Sequence, residues 1–200
     1  MILASPSHQI MKTEQLTNRI WLTKKARMNA ENRLLRVDFI LSYLLVYYST
    51  SLAALQLSPL YFEINNEGQF NWITTTMSIF VLLFSTIMAS SNFKLRADKM
   101  KSSYILLTQL EYDLSYGSSA SDIASRYTLI LDRTDNHSQR DYEKAQLWSK
   151  AHPDETVFST IYRHLKYAGI TAAIYIVVIA SLAIPFLLLI KFIYPELKNV

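Results

Sequence analysis

The chain has 200 residues, half of them hydrophobic and only 18% charged, with three Gly, five Pro and no Cys. Soluble domains carry about a quarter of their residues as charges, so this composition is apolar, and it has too few turn formers for an all-β design. Disulfides and Cys-ligated zinc or iron–sulfur centres are excluded. The length fits one domain, or one with a small appendage.

Residues 1–38 are rich in Lys, Arg, Asn, Gln and Glu and lack the early apolar core of a secretory signal. Within them, residues 12–37 are expected to form an amphipathic helix. Trp21, Met28 and Leu35 recur every seven positions, with Leu16, Ile20 and Leu34 beside them. Lys24, Lys25, Arg27, Arg33 and Arg36 fall on the other faces. These cations suit a solvated face that also sets topology, or a contact with anionic lipid or nucleic acid. The first reading is adopted, because topology alone already requires them there.

Three stretches then lack any charge: 39–62, 68–93 and 167–190. Their apolar cores lie at about 39–57, 72–91 and 167–190, and about 20 helical residues cross the hydrocarbon layer. None shows the charged stripe of a soluble amphipathic helix, and too little chain remains to cover three such helices in a soluble bundle. Tyr61, Phe62, Phe70 and Trp72 flank one water boundary, and Phe93, Tyr162 and Tyr167 the other, where aromatic rings are favoured. Pro185 interrupts the third stretch, for which a re-entrant or interface-lying segment is the alternative.

Lys and Arg are absent from residues 58–69, which hold Glu63 and Glu67, and are dense before and after the hairpin. The positive-inside rule therefore places the N-terminus and residues 92–166 in the cytosol and the tail 191–200 outside. The expected fold is an all-α integral membrane protein. Its parts are a cytosolic basic amphipathic helix (1–38), a transmembrane hairpin (39–91), a cytosolic helical segment (92–166), a third C-terminal span (167–190) and a tail (191–200).

Residues 93–116 are expected to continue the second span as a helix with Phe93, Ala97, Met100, Tyr104, Leu107 and Leu114 on one stripe, stopped by Gly117. Ser121 is read as the N-cap of the next helix, with Ile123, Tyr127, Ile130 and Leu131. Asp132–Ser138 form a turn. Ser138 and Asp141 resemble a capping box that opens a helix with Tyr142, Ala145 and Trp148. Pro153, Asp154 and Glu155 suit the first turn of a last helix that runs into the third span. Residues 92–166 hold eleven basic and ten acidic side chains, a balanced surface with no direct nucleic-acid binding expected.

No phosphate-loop, dinucleotide, zinc-protease or serine-hydrolase motif is present, and no catalytic residue, cofactor or metal is assigned. His137 and Asp141, four apart, are spaced for a shared metal, but Asp141 better fits a helix start, and Asp132 and Asp135 fit a turn. The spans contain no Asp, Glu, Lys, Arg or His, which argues against a coupled transporter. They carry small and hydroxylated residues at helical spacing: Ser42, Val46, Ser49, Ala53 and Gln56, then Thr74, Ser78, Ser85 and Ala89, with Gly169 and Ala173 in the third. Close helix packing and a pore lining are both compatible with these stripes.

Three strings carry a family resemblance: RMNAENRLLR (27–36), KLRADKMKSSYILLTQLEYDL (94–114) and SRYTLILDRTDNHSQRDYEKA (125–145). Together with the basic helix and the two-span hairpin, they resemble the SLATT proteins, two-span effector domains associated with SMODS and SLOG genes in bacteria. The resemblance implies a membrane effector of an anti-phage conflict system in the bacterial inner membrane, and with the charge placement the chain is expected there as a multi-pass protein with a cytoplasmic N-terminus. It implies action by homo-oligomerisation and permeabilisation of the lipid bilayer on a partner's signal. It also implies a nucleotide-signalling enzyme or a reverse transcriptase as partner. It offers no catalytic residues, and the turn at Asn136, His137, Asp141 and Tyr142 is read as structural or regulatory. The alternatives are a non-catalytic membrane anchor or sensor that recruits a cytosolic enzyme and, more distantly, a metal-dependent enzyme at His137 and Asp141.

Overall fold

The computed structural model describes residues 6–64, 66–136, 138–147 and 157–197. Among these residues there is no strand. The helices are α1 (Pro6–Leu57), α2 (Glu67–Ser91), α3 (Phe93–Ser115), α4 (Ala120–Asp132), α5 (Gln139–Gln146) and α6 (Val157–Leu197), with a short 3-10 turn at Ser58–Leu60. The chain divides into two compact units. One comprises Met1–Val37 and Asn92–Asp154, the other Asp38–Ser91 and Glu155–Val200.

Three local expectations need correction. The amphipathic helix and the first span are one helix of 52 residues. No Gly or Pro stands between residues 12 and 57 to stop it. The second span does not run unbroken into α3, because Asn92 adopts a left-handed conformation (φ +47°) between them, which Asn tolerates better than most residues. The N-cap of α4 is Ser119, not Ser121, and the two hydroxyls lie 2.9 Å apart.

In the first unit α1 and α3 run antiparallel. Ile20 meets Leu107, Leu110 and Ile123 in one cluster, and Ala30 and Leu34 meet Ala97 and Met100 in another. The buried seam of α1 is Ile20, Thr23, Arg27, Ala30 and Leu34, a 3-4-3-4 spacing. The expected stripe of Trp21, Met28 and Leu35 is its flank: Trp21 and Met28 are half-buried and Leu35 is exposed. The small residues Ala26, Ala30 and Ala97 are wholly buried at this seam, while the larger Trp21 lies at its edge. Gly117 ends α3 as expected. At φ +90° it allows its own N–H to reach the Leu114 carbonyl (3.2 Å) and the Ser118 N–H to reach that of Asp113 (3.1 Å), a Schellman closure.

In the second unit Leu55 and Phe70 form a core with Ile64, Ile73, Met77 and Leu188 around it. Tyr47 and Tyr48 bond to α6 at Leu182 and Ser181, and Leu188 joins the cluster built on Leu55. Helix α6 therefore runs alongside α1 in the same direction. Its C-terminal part lies at the same end as the hairpin turn.

Three stretches are long and apolar enough to cross a membrane, in Thr13–Leu60, Glu67–Ser115 and Leu165–Leu188. Their most apolar windows are only 11%, 6% and 6% buried inside the chain. Helices this apolar and this uncovered need a lipid solvent. The third segment is continuous helix through Pro185, which answers the re-entrant alternative.

Arg27 tests the packing of the first unit. Its side chain is 2% exposed and no carboxylate pairs with it among the described residues, so a shape-matched apolar residue should be tolerated. Arg27→Met is expected to keep or raise the thermal midpoint of the purified chain, while Leu107→Ala, at the same seam, costs about 3 kcal/mol. Thermal unfolding followed by circular dichroism in detergent checks both; a sharp loss with Arg27→Met contradicts the reading.

Candidate functional site

The family-like turn is organised by Asp141. Ser138 caps α5 through a reciprocal box, its hydroxyl accepting the Asp141 N–H (3.3 Å) while the Asp141 carboxylate accepts the Ser138 N–H (3.3 Å). The Ser138 hydroxyl also lies 2.6 Å from Oδ2 of Asp141. The carboxylate is then gripped by Arg33 of α1, with Nη2 at 2.9 Å from Oδ2 and Nε at 3.1 Å from Oδ1. Asn29, one turn earlier, donates to the Asp141 carbonyl at 3.1 Å. Burial alone would raise the pKa of Asp141, whose side chain is 4% exposed, but Arg33 and Ser138 together hold it below the ordinary carboxylate value. The arrangement fastens a short helix to α1 with a fork-shaped ion pair.

Of the four residues expected in this turn, Asn136 is exposed, Asp141 is buried and Tyr142 is half-buried. His137 lies outside the described residues, as do Trp148 and the expected first turn at Pro153, Asp154 and Glu155. Among the described residues no group of three His, Asp or Glu is placed to hold a metal ion.

A second polar feature escaped sequence reading. Arg27 donates from Nη1 to the Ile130 carbonyl at 3.4 Å, and its Nε has no partner among the described residues. Burial pulls its basicity below the usual arginine value, against an opposing pull from Tyr127. Tyr127 in turn shares a 2.8 Å hydrogen bond with Thr23. The Ser103 hydroxyl of α3 is also buried, with no partner among the described residues. By register, Arg27 and Ser103 both fall between the two apolar clusters, so they form one polar level in the unit. Lys24 and Glu111 pair beside it. Ser103 also lines a groove of about 570 Å³ between α3 and α4, with Leu106, Leu129, Ile130, Lys99 and Arg133. The sequence signal was available, since Thr23 and Arg27 continue the 3-4 spacing of Ile20, Ala30 and Leu34, but a charged residue on a seam reads as solvated by default.

In the second unit the small-residue stripes do not share one environment. Thr74 is buried; Ser42, Ser78 and Ser85 are half-buried; Ser49, Ala53 and Ala89 are exposed. Thr74 donates back to the Phe70 carbonyl at 3.0 Å and Ser78 to the Thr74 carbonyl at 2.9 Å, so each hydroxyl is satisfied by its own helix. Gln56 reaches Ser78 at 3.4 Å, tying α1 to α2.

The most specific contact of this unit was not expected from the sequence. Pro185 has no N–H, so the carbonyl four residues earlier, Ser181, loses its helical donor. The Tyr48 hydroxyl donates to that carbonyl at 2.6 Å, and Tyr47 donates to the next one, Leu182, at 2.8 Å. The two rings meet edge to face at 5.9 Å. Proline at 185 and adjacent tyrosines on another apolar helix were the available signals; only the fold puts them together.

If Asp141 fastens α5, its removal should act locally. Asp141→Asn is expected to raise hydrogen exchange across α5 by roughly 30-fold, corresponding to about 2 kcal/mol for charge-assisted hydrogen bonds, with little change in α3. Because the folded-state value is depressed, this stabilisation is present at neutral pH and is lost as pH falls below ~4 through the lowered value. Exchange mass spectrometry at neutral and acidic pH reads both effects, and protection of α5 that survives Asp141→Asn contradicts the assignment.

Comparison with known proteins gives one family. No curated protein and no solved structure matches the chain. Residues 11–191 match the SMODS and SLOG-associating 2TM effector domain family 5. That match takes in the α1–α2 hairpin, the capped turn at Asp141 and the Pro185 segment, covering nearly the whole chain, and the protein therefore belongs to this family of membrane effector domains.

Proposed function

We propose that the protein acts in bacterial conflict systems by assembling in the inner membrane and permeabilising it when a partner signals infection. The observation that carries this reading is the coverage of the membrane unit: three apolar helices almost wholly unburied within one chain, with Ser49, Ala53 and Ala89 exposed among them. Lipid covers the large apolar side chains. Small residues instead favour close approach of another helix, so a second copy is the fitting neighbour there. The first unit is the receiver of the signal. In its polar level the Arg27 Nε and the Ser103 hydroxyl are buried with no partner among the described residues, a feature that lowers the cost of rearrangement. A nucleotide-signalling enzyme fits the association in the family's name.

Because the left-handed residue Asn92 breaks the helix between α2 and α3, the route of coupling runs through α1, which contributes residues to both units. A partner drives such a change only by binding one arrangement more tightly than the other. The same Asn92 joint is the observation that favours the second reading, a membrane anchor that holds a cytosolic enzyme at the bilayer and transmits nothing.

Topology and activity are tested together. The chain has no native cysteine, so single cysteines report their own positions. A cysteine at Asn66 is expected to label in intact cells, and one at Ser119 only after permeabilisation. Because α6 runs in the direction of α1, a cysteine at Lys198 should label like that at Asn66. Induced expression together with the signalling partner should collapse the signal of a membrane-potential dye, and four glycines inserted between Val37 and Asp38 should abolish the collapse without preventing insertion. Full membrane insertion with an unchanged potential in the presence of that partner contradicts permeabilisation and favours the anchor.

A further inference from the structure

The contact of Tyr47 and Tyr48 with the Pro185 segment has a consequence peculiar to a lipid solvent. In water, a carbonyl freed by proline is hydrated at little cost. In hydrocarbon it has no such option, and an unsatisfied backbone group there costs several kcal/mol. Tyr48 stands at the centre of the 39–57 apolar stretch, and Ser181 and Leu182 near the centre of the 167–190 stretch, so the contact belongs to the hydrocarbon region.

The freed Ser181 carbonyl is satisfied by a side chain from another helix, not by its own turn. The side-chain hydroxyl of Ser181 does not compete, since it donates to the Val178 carbonyl at 2.7 Å. Pro185 itself is buried, whereas its neighbours Ile184, Phe186 and Leu187 are exposed. The proline therefore faces inward in the unit and its apolar neighbours face lipid.

We propose that Tyr47, Tyr48 and Pro185 form a latch between α1 and α6, and that its release hydrates the membrane unit. Closed, each tyrosine hydroxyl has an acceptor and the Ser181 carbonyl has a donor. Open, the Ser181 carbonyl and both hydroxyls lie at mid-membrane without partners. They are stabilised again only by water or by polar groups of another copy. Opening is thereby coupled to entry of water, because water lowers the energy of the open arrangement and not of the closed one. The latch deepens the permeabilisation reading and, for its gating role, rests on it. It also gives α6 a role that a two-span description leaves out.

The chemistry predicts a particular non-additivity. Pro185→Ala restores an N–H to the Ser181 carbonyl, so Tyr48 loses its special acceptor. Tyr48→Phe should therefore lower the thermal midpoint of the purified full chain in micelles by several degrees, and by less than half as much when Pro185→Ala is also present. Equal losses in the two backgrounds would overturn the latch as a bonded device. Gating is read separately, by dye release from vesicles of phosphatidylethanolamine and phosphatidylglycerol carrying the purified chain. The Tyr47→Phe, Tyr48→Phe double variant should leak several-fold faster than the unsubstituted chain. Adding Pro185→Ala to it should return the leak toward the starting value. A double variant with the predicted stability coupling but no faster leak than the unsubstituted chain would overturn the gating role. Stability coupling in proteins none of which leaks would overturn the gating role and leave the latch as a structural clasp, whereas depolarisation of cells by the partner's signal tests the permeabilisation reading separately.

Discussion

The membrane unit depends on one constraint: in hydrocarbon a polar atom must find its partner within the protein. Its hydroxyl side chains obey this by turning back on their own helices, as Thr50, Thr76, Thr86 and Thr171 do toward carbonyls four residues earlier. Such bonds are self-contained and say nothing about which helix lies next to which. The carbonyl freed by Pro185 is different, because its satisfaction requires a second helix. That requirement turns a loss of one backbone bond into a specific pairing of α1 with α6. Apolar packing alone would specify it poorly, since lipid tails are as apolar as leucine.

The first unit meets the same problem in water and resolves it otherwise. Its apolar clusters at Ile20 and at Ala30 are separated by a level that contains Arg27 and Ser103. A long cation sits there, and the hydrogen bond seen for it among the described residues is to the Ile130 carbonyl at 3.4 Å. The ion pair of Arg33 with Asp141 is the complementary case. It is half exposed on one partner, forked, and backed by a capping box, so it fixes one arrangement of α5 on α1. One feature holds the unit in place, and the other makes its interior less than optimal. An input of a few kcal/mol moves only an equilibrium that is already close, and the level at Arg27 is where this unit's is closest.

How much of this was legible follows from the kind of signal each feature sends. Uncharged stretches of 20 residues are long and redundant, so all three spans and the all-α class were readable from the amino-acid sequence alone. The Ser138–Asp141 box and the Gly117 stop were readable because caps use few residue types at fixed spacing. The seam of α1 was not, since apolarity pointed to Trp21 and Leu35 whereas close packing selected Thr23, Ala26 and Ala30. The break at Asn92 was missed because an asparagine after two serines is an ordinary membrane-boundary sequence. Arg33 with Asp141 and Tyr48 with Ser181 are separated by more than one hundred residues, and no local pattern encodes either pairing.

The two polar features also differ in what solvent does to them, and that difference gives the protein a direction of change. Hydrating Arg27 would relieve a buried cation, so water favours opening of the first unit at that level. Hydrating the Pro185 clasp would replace bonds of comparable strength, so water is nearly neutral there, while lipid strongly favours the closed form. A clasp built this way is held most firmly where its surroundings are dry, whereas the level at Arg27 is held least firmly where water reaches it.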